Sequence, residues 1–189
     1  MKIGLFFGSF NPVHVGHLII ANFMANQTDL EQVWLVVSPQ NPLKNKSTLA
    51  RDRDRLNMVQ AAISENPLLR ASDIEFKLPK PSFTIDTLAH LSEKYPQHEF
   101  CLIMGGDNIA TLHKWKNFEV ILRDYDIYVY QRPNYEAGEL ATHPRIKFFE
   151  APLMEISATY IRKCLSEGKS IQYLVPEEVL AYLKSAKIY

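Results

Sequence analysis

The sequence predicts an α/β fold: a Rossmann-like, doubly wound, mainly parallel sheet with helices on both faces. Three observations carry that prediction. Strand-like apolar runs alternate with helix-like runs along the chain, the pattern of a layered α/β protein. Several strand runs are nearly continuous in apolar residues, as expected where helices cover both faces of a sheet. The first strand-like run ends in a glycine turn that leads into a helix, and ligands bind at such carboxyl ends.

The elements follow in order. The first strand is 2–7, Lys2-Ile3-Gly4-Leu5-Phe6-Phe7, and the helix after it is 16–26. The second strand, 33–37, is Val33-Trp34-Leu35-Val36-Val37. A helix over 50–64 has Leu56, Val59 and Ile63 at helical spacing. A weaker strand lies near 69–76, and a helix over 84–95 places Ile85, Leu88 and Leu91 on one side before Pro96 stops it. Strands at 99–104, 126–130 and 146–149 follow, with a short helix at 117–123 between the first two. A helix over 158–167 turns Ile161, Cys164 and Leu165 inward and is closed by Gly168. Pro176 is expected as the first residue of the last helix, 176–186. The long loops 38–48 and 131–145 carry the most turn chemistry, and loops of that length are often functional.

Composition narrows the function. A length of 189 residues suits one domain, 1–189, with a full core. The formal net charge is zero, so neither nucleic acid nor an acidic membrane is expected as a partner. Any phosphate must be held by locally placed cations. Cys101 and Cys164 form no C-x-x-C and no zinc spacing, so two buried thiols in a reducing compartment are expected. The amino-terminal apolar run is too short for a signal peptide, and no stretch approaches the ~18 apolar residues of a membrane helix. The cytoplasm is the expected location.

The most informative segment is Gly8-Ser9-Phe10-Asn11-Pro12-Val13-His14-Val15-Gly16-His17. It delivers two histidines to the start of a helix, where backbone N–H groups and the positive helix end suit an anion. A second segment is Glu155-Ile156-Ser157-Ala158-Thr159-Tyr160-Ile161-Arg162. Ser157 is a natural N-cap. Arg162 lies one turn beyond Thr159, so hydroxyls, free N–H groups and a guanidinium can converge on one anion. A plainly capped helix with Arg162 in a surface ion pair is the bland alternative. Gly105-Gly106-Asp107 ends the strand 99–104: paired glycines admit a ligand to the backbone, and Asp107 can accept from ribose hydroxyls or cap a helix. The run Arg51-Asp52-Arg53-Asp54-Arg55 is self-neutralising and is expected as a solvated helix start. No G-x-G-x-x-G or Gly-Lys-Ser/Thr follows the first strand, which argues against a dehydrogenase and a P-loop enzyme.

His14-Val15-Gly16-His17 resembles the paired-histidine signature of the nucleotidylyltransferase superfamily, and Ile156-Ser157-Ala158-Thr159-Tyr160-Ile161-Arg162 resembles its second signature. The longer string Gly8–His17 resembles the bacterial nicotinate-nucleotide adenylyltransferases, and the likeness runs over nearly the whole chain. The chain departs from the pattern at Ala158, often a second serine, and at Leu43, often a histidine. The resemblance implies transfer of the adenylyl group of ATP to nicotinate mononucleotide, releasing pyrophosphate. It implies His14, His17, Lys44 and Arg162 as the catalytic group. It implies Gly8, Ser9, Phe10, His14, His17, Gly105, Asp107, Ile156, Ser157, Thr159 and Arg162 around ATP. It implies Ser9, Lys44, Thr84, Ile85, Trp115, Lys116 and Arg132 around the mononucleotide, with Trp115 stacking on the pyridine. Thr84 also reads as a simple helix cap, Trp115 as a core indole, and Arg132 as a structural cation at a loop base. Mg²⁺ is implied as the companion of ATP, held by nucleotide and water, with no protein metal site. Another superfamily member, such as a pantetheine-phosphate adenylyltransferase or a cytidylyltransferase, is the nearest alternative. A non-catalytic nucleotide-binding protein is the alternative from another class. Oligomeric state is left open, a homo-oligomer included.

Overall fold

The computed structural model describes residues 1–39, 49–131, 140 and 142–189. Its centre is a six-stranded sheet in the order β3-β2-β1-β4-β5-β6. The strands are β1 (Lys2–Gly8), β2 (Gln32–Val37), β3 (Leu69–Ser72), β4 (Glu99–Gly105), β5 (Asp126–Tyr130) and β6 (Ile146–Phe149). Every neighbouring pair is parallel, with Leu5 opposite Trp34 on one side and Leu102 on the other. The expectation of a mainly parallel sheet is met by a wholly parallel one. The order reverses between β1 and β4, so the crevice at their carboxyl ends is the switch point where ligands bind in such sheets.

Alternation along each strand divides the core in two. Val33, Leu35 and Val37 point to one face together with Phe6, Cys101, Ile103 and Tyr128. That face is covered by α1 (Val15–Gln27), α2 (Asp52–Ala62), α6 (Ala158–Ser166) and α7 (Glu177–Ala186). Ile3, Leu5, Trp34, Val36, Leu102, Met104 and Ile127 point to the other face. It is covered by α3 (Thr84–Lys94), the single turn α4 (Gly106–Ile109) and α5 (Phe118–Asp124). Both cysteines are free and buried. Among the described residues no helix is long and apolar enough to cross a membrane.

The departures from expectation are local. The 69–76 strand stops at Ser72 and gives way to a 3₁₀ turn, Ile74–Lys77, because the Ser72 hydroxyl accepts from the Ile74 N–H and replaces the ladder. Pro176 is the N-cap of α7 rather than its first residue. Phe83, not Thr84, is the N-cap of α3. The α4 turn was not anticipated, since its Gly-Gly start carries no helical signal.

The amino edge of the sheet is locked by charge. Lys2 Nζ lies 3.0 Å from Asp29 Oδ2, 3.1 Å from Asp126 Oδ2 and 3.7 Å from Glu99 Oε1. Tyr128 donates to Asp29 Oδ1, and Arg145 lies 3.2 Å from Asp126. The Tyr128 hydroxyl lowers the Asp29 pKa, aided by Lys2. Burial opposes ionisation of Asp126, but Lys2 and Arg145 outweigh it and hold its pKa down as well. Both carboxylates therefore add stability that is present above their ordinary range and is lost as pH falls through their lowered values. Replacing Lys2 by Met leaves Asp126 with Arg145, about two-fifths exposed, and the more distant Lys147. The variant should unfold in urea with about 1–3 kcal/mol less stability at pH 7, and the gap to wild type should narrow below about pH 4 as the carboxylates protonate. An equal gap at both pH values would contradict the role given to these carboxylates.

Candidate functional site

Between β1 and α1 the chain makes an irregular loop, Ser9–His14, and the site is assembled on it. Phe10 takes a left-handed backbone, φ 44°, which turns its ring back under the loop into the core. A β-carbon on Gly8 would come within 2.8 Å of that ring, so glycine is required where the strand ends. Asn11–Pro12 is a cis peptide.

His14 is the N-cap of α1 and His17 is its third residue. The two rings stack, 3.7 Å between centroids and 30° between planes. The His14 N–H donates to His17 Nδ1 at 3.3 Å. With Nδ1 occupied as an acceptor, the neutral His17 ring carries its proton on Nε2 and acts there as a donor. Phe10 meets the His17 ring edge-on at 5.0 Å and limits its swing. Gly16 explains itself here: a β-carbon would sit 3.1 Å from His14 Nδ1 and 3.2 Å from Cε1, pressing on the ring that must stack. The first N–H of α1 is not offered to a ligand, since Val15 donates to the Leu174 carbonyl at 3.0 Å.

Arg162 comes to this loop from α6. Its Nη1 donates to the Asn11 carbonyl at 2.8 Å, across 151 residues of sequence, and its Nη2 to Thr159 Oγ1 at 3.3 Å. Ser157 caps α6 by accepting from the Tyr160 N–H at 3.1 Å. Ser157 and Thr159 are exposed and Ile156 is half-buried against the core. Among the described residues no carboxylate pairs with Arg162, and its two acceptors are uncharged. The guanidinium thus keeps its full positive charge beside the stacked imidazoles, as an anion requires.

Next to the loop, β4 ends at Gly105. A β-carbon there would fall 2.6 Å from Asp107 Oδ1 and 3.0 Å from the Tyr130 hydroxyl. Asp107 therefore folds back over the strand end, and its buried Oδ1 has no hydrogen-bond donor among the described residues. A polar ligand would supply one.

The remaining residues form a second cluster at the start of α3. Thr84 is the first residue of that helix, and Ile85 sends its side chain into the core, leaving only its backbone for a ligand. Lys116 Nζ pairs with Asp86 at 2.8 Å and sits 4.9 Å over the Phe83 ring. Trp115, one residue earlier, is half-buried against the apolar layer beneath. The ion pair thereby joins the two segments of this cluster. Lys44 and Arg132 lie outside the described residues.

Arg55 overturns one expectation outright. It is not part of a solvated helix start but is 0% exposed. Its Nη1 donates to Ser9 O at 2.5 Å and Ser38 O at 2.8 Å, its Nε to Ala50 O at 3.1 Å, and its Nη2 to Pro39 O at 3.4 Å and to Asp52 Oδ1 at 2.7 Å. The signal was present in the spacing: Arg55 shares one helix face with Met58 and Val59, both fully buried. Asn11 and Tyr130 were also missed as site residues; Asn11 lies within the Gly8–His17 segment itself, whereas nothing near Tyr130 distinguishes it.

The chain has relatives in sequence and in fold. The family model described as cytidylyltransferase-like matches residues 5–164. A protein named probable nicotinate-nucleotide adenylyltransferase from Flavobacterium johnsoniae is 57% identical, over 100% of this chain and 99% of its own. One of the same name from Cytophaga hutchinsonii is 58% identical, over 100% of this chain and 98% of its own. In fold the chain is similar to a Plasmodium falciparum nicotinic acid mononucleotide adenylyltransferase complexed with NaAD. That match has a TM-score of 0.82 at 20% identity and covers 100% of this chain and 97% of the other.

Arg55→Met would deprive the part-buried carbonyls of Ser9, Ser38 and Ala50 of this donor. A loss of about 3–5 kcal/mol in urea unfolding is expected. A loss under about 1 kcal/mol, the size of an ordinary surface change, would show that Arg55 does not hold the loop.

Proposed function

The chain belongs to the nicotinate-nucleotide adenylyltransferases, within the cytidylyltransferase-like family, and from that membership we infer its reaction. It joins ATP and nicotinate mononucleotide to give nicotinate adenine dinucleotide and pyrophosphate, a step of NAD biosynthesis. A phosphate oxygen of the mononucleotide bonds to the α-phosphorus of ATP, and the bond from that phosphorus to the β-phosphate oxygen breaks. The attacking phosphate is already an anion at neutral pH, so no protein nucleophile or general base is needed. The work of the protein is alignment and charge stabilisation.

The observation that carries this reading is the arrival of Arg162 at the Asn11 carbonyl, beside the stacked His14 and His17. On this reading His17 donates from Nε2 to the α-phosphate as charge builds, and His14 holds the ring in place and shares the phosphate. Arg162, Ser157 and Thr159, with Lys44, take the β- and γ-phosphates and the departing pyrophosphate, whereas the Ile156 N–H expected there already donates to the Met154 carbonyl at 2.8 Å. Gly8, Ser9 and Phe10 offer backbone. Asp107, with Gly105 giving clearance, accepts from a ribose hydroxyl. The pyridine ring stacks on Trp115, and its carboxylate is met by backbone N–H groups at Thr84, Ile85 and Lys116. Arg132 is assigned to the mononucleotide side.

Among the described residues no cluster of three or more His, Cys, Asp and Glu side chains is placed to hold a metal. Mg²⁺ prefers oxygen ligands, and the site's imidazoles are poor partners for it. The ion that accompanies ATP would then sit on nucleotide oxygens and water, and no step is assigned to a protein-held metal. Use of ATP and two free buried thiols suit the cytoplasm.

The test is pyrophosphate release from ATP with nicotinate mononucleotide, nicotinamide mononucleotide and phosphopantetheine offered in parallel. Turnover is expected with the nicotinate acceptor. Turnover only with phosphopantetheine would move the chain to a sister activity, and ATP binding without turnover would remove the enzyme reading. With the active acceptor, His17→Ala should lower kcat by at least ~10²-fold, the scale of losing one transition-state donor. A kcat near wild type at saturating substrates would withdraw the role given to His17.

A further inference from the structure

Asn11 is a meeting point of three distant parts of the chain. Its carbonyl accepts from Arg162 at 2.8 Å. Its side-chain Oδ1 accepts from the Ala50 N–H at 3.0 Å, at the entrance to the helix that carries Arg55. The same Oδ1 accepts from the hydroxyl of Tyr189, three residues beyond the end of α7. Asn11 itself is 3% exposed, and an asparagine side chain so enclosed is fixed by the donors given to it.

The path by which Tyr189 reaches the loop is built rather than casual. The α7 helix lies against α2, where the Tyr182 hydroxyl donates to Asp54 at 2.9 Å and accepts from Asn57 at 2.9 Å. Lys187 then takes a left-handed backbone, φ 48°, which ends α7 and redirects the chain. Although 40% of Tyr189 is exposed, its hydroxyl end reaches the buried Asn11. Burial raises its pKa against the pull of Arg162 and Arg55, so at neutral pH the phenol remains a donor.

We propose that Tyr189 is a positioning residue for adenylyl transfer, its hydroxyl fixing the Asn11 side chain so that the Asn11 carbonyl seats Arg162 beside the histidines. Tyr189 touches no substrate; it acts through Asn11 and Arg162. The bond it makes is neutral, so its loss leaves the charge of the site unchanged. What changes is the freedom of the loop, and hence the fraction of time in which Arg162 meets the leaving pyrophosphate correctly. The cost falls on the transition state and also on ground-state binding of the ATP β- and γ-phosphates, which Arg162 meets in both. This rests on the adenylyltransferase reading given above.

The experiment uses the full chain and compares Tyr189→Phe, which keeps the ring, in wild-type and Arg162→Ala backgrounds. In the wild-type background kcat should fall about five- to ten-fold, the size of one lost hydrogen bond. KM for nicotinate mononucleotide should stay within about two-fold, while KM for ATP rises. In the Arg162→Ala background the same change should have no further effect, because residues acting as one unit are not additive. A kcat within about two-fold of wild type, or an equal loss in both backgrounds, overturns the proposal. Backbone amide exchange of residues 9–14 supplies a measurement that needs no turnover. It should quicken in Tyr189→Phe while Glu177–Ala186 keeps its protection, and unchanged exchange in 9–14 also overturns the proposal. Failure of the wild type to use any acceptor would instead strike the reaction reading, and the exchange result would then decide the role of Tyr189 alone.

Discussion

A guanidinium sealed from water must be given every hydrogen bond it needs, and Arg55 receives them from backbone beyond the ends of β1 and β2. Ser9, Ser38, Pro39 and Ala50 each supply a carbonyl, and Asp52 supplies the counter-charge. The need is mutual. Beyond the strands those carbonyls have left the sheet ladder, and buried backbone oxygens without donors are costly. One side chain thus satisfies the irregular backbone that the active loop requires. A loop held in this way is rigid before substrate arrives, and pre-organised donors are what charge stabilisation in a transition state demands.

The two edges of the sheet use charge in opposite ways. At the amino edge Asp29, Asp126 and Glu99 face Lys2, Arg145 and Lys147, and the network neutralises itself. At the carboxyl edge the hydrogen bonds of Arg162 go, among the described residues, to a carbonyl and a hydroxyl. Compensated charge holds strands together; uncompensated charge waits for an anion. This contrast also resolves how a chain with zero formal net charge can handle a triphosphate. The positive potential is local, set by which cations are left without an acid partner.

Much of this was legible in the sequence. Continuous apolar runs located every strand and period-3.6 patterns most helices, because both faces of the sheet are buried and the apolar signal is strong. The strand near 69–76 was overextended because Ser72 ends it with a side-chain hydrogen bond that no hydropathy pattern records. The His14–His17 and Ser157–Arg162 segments could be read as phosphate-binding chemistry, but only the fold shows that Arg162 sits at Asn11. Arg55 was misread because alternating charges resemble a solvated face, while its helical register with Met58 and Val59 pointed inward. Asn11 stands inside the Gly8–His17 segment, but its link to Tyr189 was illegible, because it spans 178 residues and Tyr189 carries no local pattern.

The account turns on one cleft holding the triphosphate between the paired imidazoles and the α6 guanidinium. A crystal structure with a non-hydrolysable ATP analogue tests this most directly. The α-phosphate is expected at His17 Nε2 and the β- and γ-phosphates at Arg162, Ser157 and Thr159, with the Arg162–Asn11 bond intact. A triphosphate bound away from both His17 and Arg162 would contradict the account.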